Sequence, residues 1–170
     1  FSTHAVKNGY SKELLMEMGL CKEGKTGLFD FYHGRVMFPI HSVTGHVLGF
    51  GGRTLFTDKK IAKYFNSPES EIYQKKDTLY GIYFAKSAIV KEDNCILVEG
   101  YFDVLRMHQI GIENVVASSG TSLTKEQIKL VKRYTKNITM LYDGDAAGLH
   151  AALRGTDMIL SEGMNVRVVV

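Results

Sequence analysis

The sequence predicts an α/β fold. It comprises a four-stranded, mainly parallel sheet flanked by helices over residues 95–170, preceded by a smaller mixed α+β basic subdomain over residues 1–94. Three observations predict it. From Cys95 onward, short apolar runs alternate with helix-like stretches, a rhythm that gives parallel strands joined by right-handed crossovers. Between Arg35 and Phe50 two apolar runs instead flank a Ser-Val-Thr-Gly turn, which is a hairpin by composition and spacing. Finally, acidic residues directly follow two of the later runs: Glu99 after Cys95–Val98, and Asp143 and Asp145 after Ile138–Tyr142. In a parallel sheet the strand C-termini open onto one shared crevice, which is where ligands bind.

In chain order, Ser11 caps a short helix through Met18, with Gly19 at its C-terminal end. Val36–Ile40 and Val47–Phe50 are the hairpin strands, and Pro39 assigns the first of them to a sheet edge. Gly49, Gly51 and Gly52 permit close backbone approach, to packing neighbours or to a phosphate. The segment 66–69 is a turn, 80–90 a helix, and the polar run 91–94 the joint between the two parts. Beyond it come the strand 95–98, a helix over 101–109 stopped by Gly111, and the strand 115–117. Thr124 and Gln127 form a capping box for a helix to about Tyr134. The strand 138–142, a helix over 147–160 ended near Gly163, and the strand 166–170 complete the series.

The 170 residues suffice for one solid core or two small ones, and 45% hydrophobic with 23% charged content is ordinary for a folded domain. No apolar run approaches the ~18 residues that span a membrane, and the N-terminus carries no signal-peptide pattern. Cys21, in a loop-like segment, and Cys95, opening a strand, fit a reducing cytoplasm and cannot build a Cys₄ zinc site. The absent Met and the ending on Val168-Val169-Val170 suggest a fragment of something longer. The net charge of +3 lies wholly in residues 1–94, with 13 Lys/Arg against 10 Asp/Glu, since residues 95–170 hold 8 against 8. Between Arg53 and Lys76, six basic residues (Arg53, Lys59, Lys60, Lys63, Lys75 and Lys76) outnumber Asp58, Glu69 and Glu71 and interleave with Phe56, Tyr64, Phe65 and Tyr73. Cations for phosphates and rings for bases are what a single-stranded nucleic-acid groove requires. A solvated, Lys-decorated surface is the alternative reading.

Carboxylates grouped at one strand edge repel one another unless a cation lies between them. Hard cations such as Mg²⁺ take oxygen ligands and keep sites open for phosphate oxygens. Glu99, Asp143 and Asp145 therefore point to metal-dependent phosphoryl transfer, although Asp-Gly-Asp is also a common turn. Asp103, one turn into the helix after Glu99, is either a further metal or water-organising group or a helix-N-terminal charge.

Val98-Glu99-Gly100-Tyr101-Phe102-Asp103-Val104 and Tyr142-Asp143-Gly144-Asp145-Ala146-Ala147-Gly148 resemble the two signature motifs of the Toprim domain. Bacterial primases, type IA and type II topoisomerases, some nucleases and a recombination mediator share that domain. The upstream motifs are more specific. Arg35-Val36-Met37-Phe38-Pro39-Ile40, Gly49-Phe50-Gly51-Gly52-Arg53, Lys63-Tyr64-Phe65-Asn66-Ser67-Pro68-Glu69 and Leu79-Tyr80-Gly81 resemble, in order and spacing, the bacterial replicative primases. Ala117-Ser118-Ser119-Gly120-Thr121-Ser122 is similar to that family's stretch between the acidic motifs.

The resemblance implies a central piece of a DnaG-type RNA polymerase core, making short RNA primers on single-stranded DNA from ribonucleoside triphosphates. Glu99, Asp143 and Asp145 would be catalytic and, with Asp103, would hold Mg²⁺, for which Mn²⁺ can substitute. Arg35, Arg53, Lys63, Asn66 and Lys75 would bind template and nucleotide. The family's downstream acidic motif, its N-terminal zinc-binding module and its helicase-binding domain are expected outside this stretch, so zinc and the replicative helicase would be engaged elsewhere. A cytoplasmic, monomeric protein without membrane contact is expected. The rival readings are a Toprim nuclease or topoisomerase and a non-catalytic nucleic-acid-binding module.

Overall fold

The computed structural model describes residues 1–57, 60–118, 120 and 122–169. Asp58, Lys59, Ser119, Thr121 and Val170, which enter the readings above, lie outside the described residues. Contacts group the chain into two compact units, Phe1–Ile40 with Val47–Gln74, and His41–His46 with Lys75–Val170.

In the first unit, α1 (Ser2–Lys7) and α2 (Lys12–Glu17) accompany an antiparallel hairpin of β1 (Cys21–Gly24) and β2 (Gly27–Asp30). Ser11 caps α2 as the sequence indicates, its hydroxyl accepting the Leu14 N–H. Neither α1 nor the β1–β2 hairpin is signalled by apolar period, because six-residue helices and four-residue strands are too short to display one. Cys21 consequently does not sit in a loop. It opens β1 and packs, almost fully buried, with Ala5 and Leu15.

A second sheet of the order β3-β4-β5 is built from β3 (Arg35–His41), β4 (Val47–Thr54) and β5 (Tyr64–Asn66). Pro39, which cannot donate to a ladder, lies on the edge strand β3, as expected. Gly49 and Gly52 of β4 abut packing neighbours. A Cβ on Gly52 would come within 2.5 Å of the Tyr32 ring, whose hydroxyl donates to the Phe50 carbonyl at 3.0 Å.

The second unit is built on a four-stranded parallel sheet of the order β7-β6-β8-β9. Its strands are β6 (Cys95–Val98), β7 (Val115–Ala117), β8 (Asn137–Leu141) and β9 (Asn165–Val169). The helices α3 (Ile82–Glu92), α4 (Tyr101–Gln109), α5 (Lys125–Lys132) and α6 (Ala146–Ser161) flank it. Side chains alternate across the pleat and divide the core in two. Cys95 and Leu97 join Val116, Ile138 and Met140 in one layer with Ile82, Ala85 and Ile89 of α3, Ile128 and Val131 of α5, and Ala152 and Ile159 of α6. Ile96 and Val98 join Val115 and Ala117 in the other, against Val104 and Met107 of α4.

The expected joint at 91–94 falls at the end of α3, whose buried face lies in the first of these layers. Tyr80 is not helical, contrary to the expectation of a helix from 80. It exchanges both backbone hydrogen bonds with Ala117, and α3 starts two residues later.

The Thr124–Gln127 capping box forms, and Gln127 does more than cap. Its fully buried amide donates to the carbonyls of Lys75 at 3.0 Å and Thr78 at 2.9 Å. Gln127→Ala would withdraw the side-chain donor from two carbonyls and open a cavity. Urea denaturation should show a loss of about 1–3 kcal/mol, and an unchanged midpoint would refute a role in holding the 75–78 segment.

Candidate active site

Strand order decides what the acidic residues can do together. β6 runs to β7 on one side, and the chain then returns to place β8 on the other side of β6, so the topological switch point lies between β6 and β8. Glu99 leaves the end of β6 and Asp143 follows β8 by two residues, on adjacent strands. They touch directly: the Asp143 N–H donates to Glu99 Oε1 at 2.9 Å.

Two further carboxylates are pinned in the same manner. Asp103 Oδ2 accepts the Gly100 N–H at 2.8 Å, and Asp145, the N-cap of α6, accepts the Gly148 N–H at 2.8 Å. Glu99, Asp103 and Asp145 thus each commit one oxygen to a backbone amide and keep the other without a hydrogen-bond partner among the described residues. Oxygen donors of this kind suit a hard divalent cation. Among the described residues, however, no three His, Cys, Asp or Glu side chains converge on a common ligating point.

Two hollows meet at Glu99 and Tyr142. One, of about 260 Å³, is lined by Glu99, Asp103, Arg106 and Asp143, and the other, of about 490 Å³, by Glu99, Ser118 and Arg154. Tyr142 is buried between them, and burial together with the negative charge of Glu99 pushes its hydroxyl up to about 12.

Of the residues expected to bind nucleic acid, Arg35, Arg53, Lys63 and Asn66 lie in the first unit, on or beside the sheet β3-β4-β5. Arg35 is engaged internally: its guanidinium donates to the carbonyls of Gly52, Lys63 and Ala62 at 3.1, 3.4 and 3.0 Å. It also lies 3.8 Å from the centroid of Phe65. Phe65 stacks on Phe31 at 5.1 Å, and Lys22 covers the far face of that pair at 4.3 Å. Arg53 pairs with Tyr64 and Gly51 with Asn66 across β4–β5, with Lys63 immediately before. Lys75 belongs to the second unit, in a short 3₁₀ turn of Lys75–Asp77. Among the described residues no helix is long and apolar enough to cross a membrane.

Comparison with known proteins agrees with this architecture. The family described as the DNA primase catalytic core, N-terminal domain, matches residues 1–86. The chain belongs to the DNA primase catalytic core family. A Toprim-like family matches residues 96–170, which carry all four parallel strands. The DNA primase of Clostridium acetobutylicum is 44% identical over 161 residues, covering 95% of this chain and 26% of the relative. The zinc-binding and RNA polymerase domains of Aquifex aeolicus primase align with a TM-score of 0.90 at 42% identity, over 99% of this chain and 43% of that one. A DnaG primase catalytic domain solved bound to single-stranded DNA aligns with a TM-score of 0.85 at 38% identity, over 96% of this chain and 55% of that one. The chain spans about a quarter of the length of the curated relatives it matches.

Within this primase core, sequence reasoning passed over Arg106, Arg154 and Tyr142, which line the hollows beside Glu99. The signal for Arg154 was present: Ala147, Ala151, Arg154 and Met158 share one face of α6. It becomes meaningful only once that face is known to abut the strand edge. Gly148 fixes the approach, since a Cβ there would stand 2.1 Å from the Asp143 carbonyl oxygen. Gly148→Ala should therefore displace the Asp143–Asp145 loop. Its far-ultraviolet circular dichroism should match the parent while Mn²⁺ affinity, read by titration, falls roughly tenfold, a shift of about 1.4 kcal/mol. An alanine variant with parental Mn²⁺ affinity would show that the loop tolerates the movement.

Proposed function

We propose that this chain is the central part of a primase RNA-polymerase core, in which nucleotidyl transfer builds a short RNA primer on a single-stranded DNA template. The observation that carries the reading is the Glu99–Asp143 hydrogen bond at the switch point of a Toprim sheet in a chain whose first half matches the primase core. That first half favours primase over the nuclease and topoisomerase that share the acidic motifs. In the reaction, the 3′-hydroxyl of the primer gives up its proton to water, its oxygen bonds to the α-phosphorus of an incoming ribonucleotide, and the bond from that phosphorus to the oxygen bridging the α- and β-phosphates breaks to release pyrophosphate.

Glu99, Asp143 and Asp145, with Asp103 beside them, hold Mg²⁺ in this proposal, and Mn²⁺ can replace it. When bound, the cation supplies activation of the attacking hydroxyl and neutralisation of phosphate charge. The chain's own part is positional. The Asp143 amide orients Glu99, the Gly100 amide orients Asp103, and the Gly148 amide orients Asp145. Tyr142, held neutral, adds no competing charge.

Arg53, Lys63, Asn66 and Lys75 bind template and nucleotide in this proposal, whereas Arg35 supports them by fastening β4 to the 62–63 segment. The relative solved with single-stranded DNA supports nucleic-acid binding by this chain. The division into a basic part, 1–94, and a Toprim part, 95–170, belongs to the same proposal and is supported by matches over 1–86 and 96–170. So do a cytoplasmic location, a monomeric state, and helicase and zinc engagement by other parts of the protein.

Glu99→Gln is the decisive variant, because its amide oxygen can still accept the Asp143 N–H while the charge is gone. In the longer polymerase core, RNA synthesis from ribonucleotides on single-stranded DNA should fall by roughly 10²-fold or more, with DNA binding retained. Nicked or covalently trapped DNA, with no RNA made, would instead identify a nuclease or topoisomerase.

Lys63 and Lys75 replaced together by Ala should weaken single-stranded DNA binding for all sequences alike. The log–log salt slope should drop by about one to two. Unchanged binding, with loss instead on replacing Lys129, Lys132 and Arg133, would move the groove elsewhere.

A further inference from the structure

Charge is segregated in the part of the chain that forms the parallel sheet. Residues 95–170 hold eight Lys/Arg and eight Asp/Glu, yet five of those cations (Lys125, Lys129, Lys132, Arg133 and Lys136) fall within twelve residues that contain one acid, Glu126. All five are exposed. Lys125, Lys129 and Lys132 recur at intervals of four and three and so share one face of α5, whereas Gln127, Ile128 and Val131 are buried. Among the described residues the side chains of Lys125, Lys129, Arg133 and Lys136 make no hydrogen bond or ion pair, and Lys132 donates to the Glu162 carbonyl.

Helix stability does not call for this arrangement, since like charges four residues apart repel. Lys132 and Arg133 suit the negative end of the helix dipole, but Lys125 stands in the first turn, where a cation is unfavourable. The fold itself therefore gives no reason for Lys125 and Lys129. The face also lacks the groups that other partners require. Protein interfaces rest on aromatic and aliphatic anchors and are depleted in Lys, and single-stranded nucleic acid needs rings for its unstacked bases. Among the described residues no large apolar side chain is exposed between Ile110 and Leu141, and Leu130 and Tyr134 pack against the core. A duplex keeps its bases stacked inside and presents a regular row of phosphates, which asks only for cations. The helix from Lys125 to Lys132 is about 10 Å long, a length along which one strand of a duplex sets about three phosphates.

We propose that the exposed face of α5 is a duplex-binding surface: Lys125 and Lys129, together with Lys132, Arg133 and Lys136, hold the phosphate backbone of a nucleic-acid duplex without reading its sequence. These residues are neither those assigned to the single strand nor those of the acidic edge. The source of the duplex, a primer on its template, rests on the proposed function, whereas the binding itself rests on the charge and chemistry of α5.

The test follows fluorescence anisotropy of a blunt RNA–DNA duplex titrated with the chain in EDTA, which keeps cations from the acidic edge. Lys125→Gln with Lys129→Gln, at exposed positions, should weaken duplex binding roughly tenfold and lower the log–log salt slope by about one to two. Single-stranded DNA of the same length should stay within about twofold of the parent. Lys125→Arg with Lys129→Arg should bind the duplex as the parent does, because the contact is one of charge. Lys91→Gln with Arg167→Gln removes two exposed cations elsewhere in the same unit and should leave duplex affinity within about twofold. Circular dichroism monitors the fold of each variant.

Parental duplex affinity in the Lys125→Gln, Lys129→Gln protein would overturn the surface. Equal losses for duplex and single strand, or an equal loss in the Lys91→Gln, Arg167→Gln protein, would overturn it too, by showing an unselective effect of charge. A parent that binds single-stranded DNA but no duplex would overturn it and leave α5 to an acidic protein segment. A parent that binds neither would strike the nucleic-acid reading itself, and is thereby distinguished from failure of the surface.

Discussion

Leu97 stands opposite Met140 in the register that joins β6 to β8, and the acidic edge depends on that pairing. It brings Glu99 within hydrogen-bonding distance of the Asp143 amide although 44 residues separate them. A shift of one residue would turn every side chain of one strand to the opposite face and expose Leu97 or Met140. Burial of these two side chains therefore holds the register, and the register holds the site. The remaining carboxylates need only local geometry, since Asp103 and Asp145 each cap the first turn of a helix that starts at the strand edge.

The opposite edge of the same sheet is fastened differently. Where the strands begin, amide and hydroxyl side chains link neighbours. Asn114 donates to the Asn94 carbonyl, Asn137 to Asp93, Asn165 to Asn137, and Thr139 to Asn94. These hydrogen bonds are uncharged or involve a single carboxylate, and they hold the strand starts without assembling repelling charges. Negative charge is concentrated at the end where strands finish. A sheet cross-linked where its strands begin and open and acidic where they finish keeps its rigidity away from the groups that a cation would draw together.

Positive charge is organised by another principle in the first unit. Arg35 has its donors on three backbone carbonyls and its plane on Phe65, so most of its capacity is spent within the fold. The sandwich of Lys22, Phe31, Phe65 and Arg35 places cations on both outer faces of an aromatic pair.

The amino-acid sequence alone determined what is local in this protein. Short apolar runs and the helix-like stretches between them marked the four parallel strands and their helices to within one or two residues, Thr124 with Gln127 announced α5, and acidic residues after apolar runs marked the strand ends. Short elements escaped because six residues cannot show a period, so α1 and the strand containing Cys21 emerged only from packing. Lateral order was likewise beyond local pattern, since nothing in the run 95–98 states that its neighbours are β7 and β8 rather than β9. Only the tertiary structure decided that Glu99 and Asp143 meet, that Arg35 donates to the backbone carbonyls of residues 52, 62 and 63, and that Arg154 lines a cavity beside the acidic edge. The physical reason is common to all three. Backbone propensity acts between near neighbours, whereas register, donor direction and enclosed space arise from the burial of side chains distant in the chain.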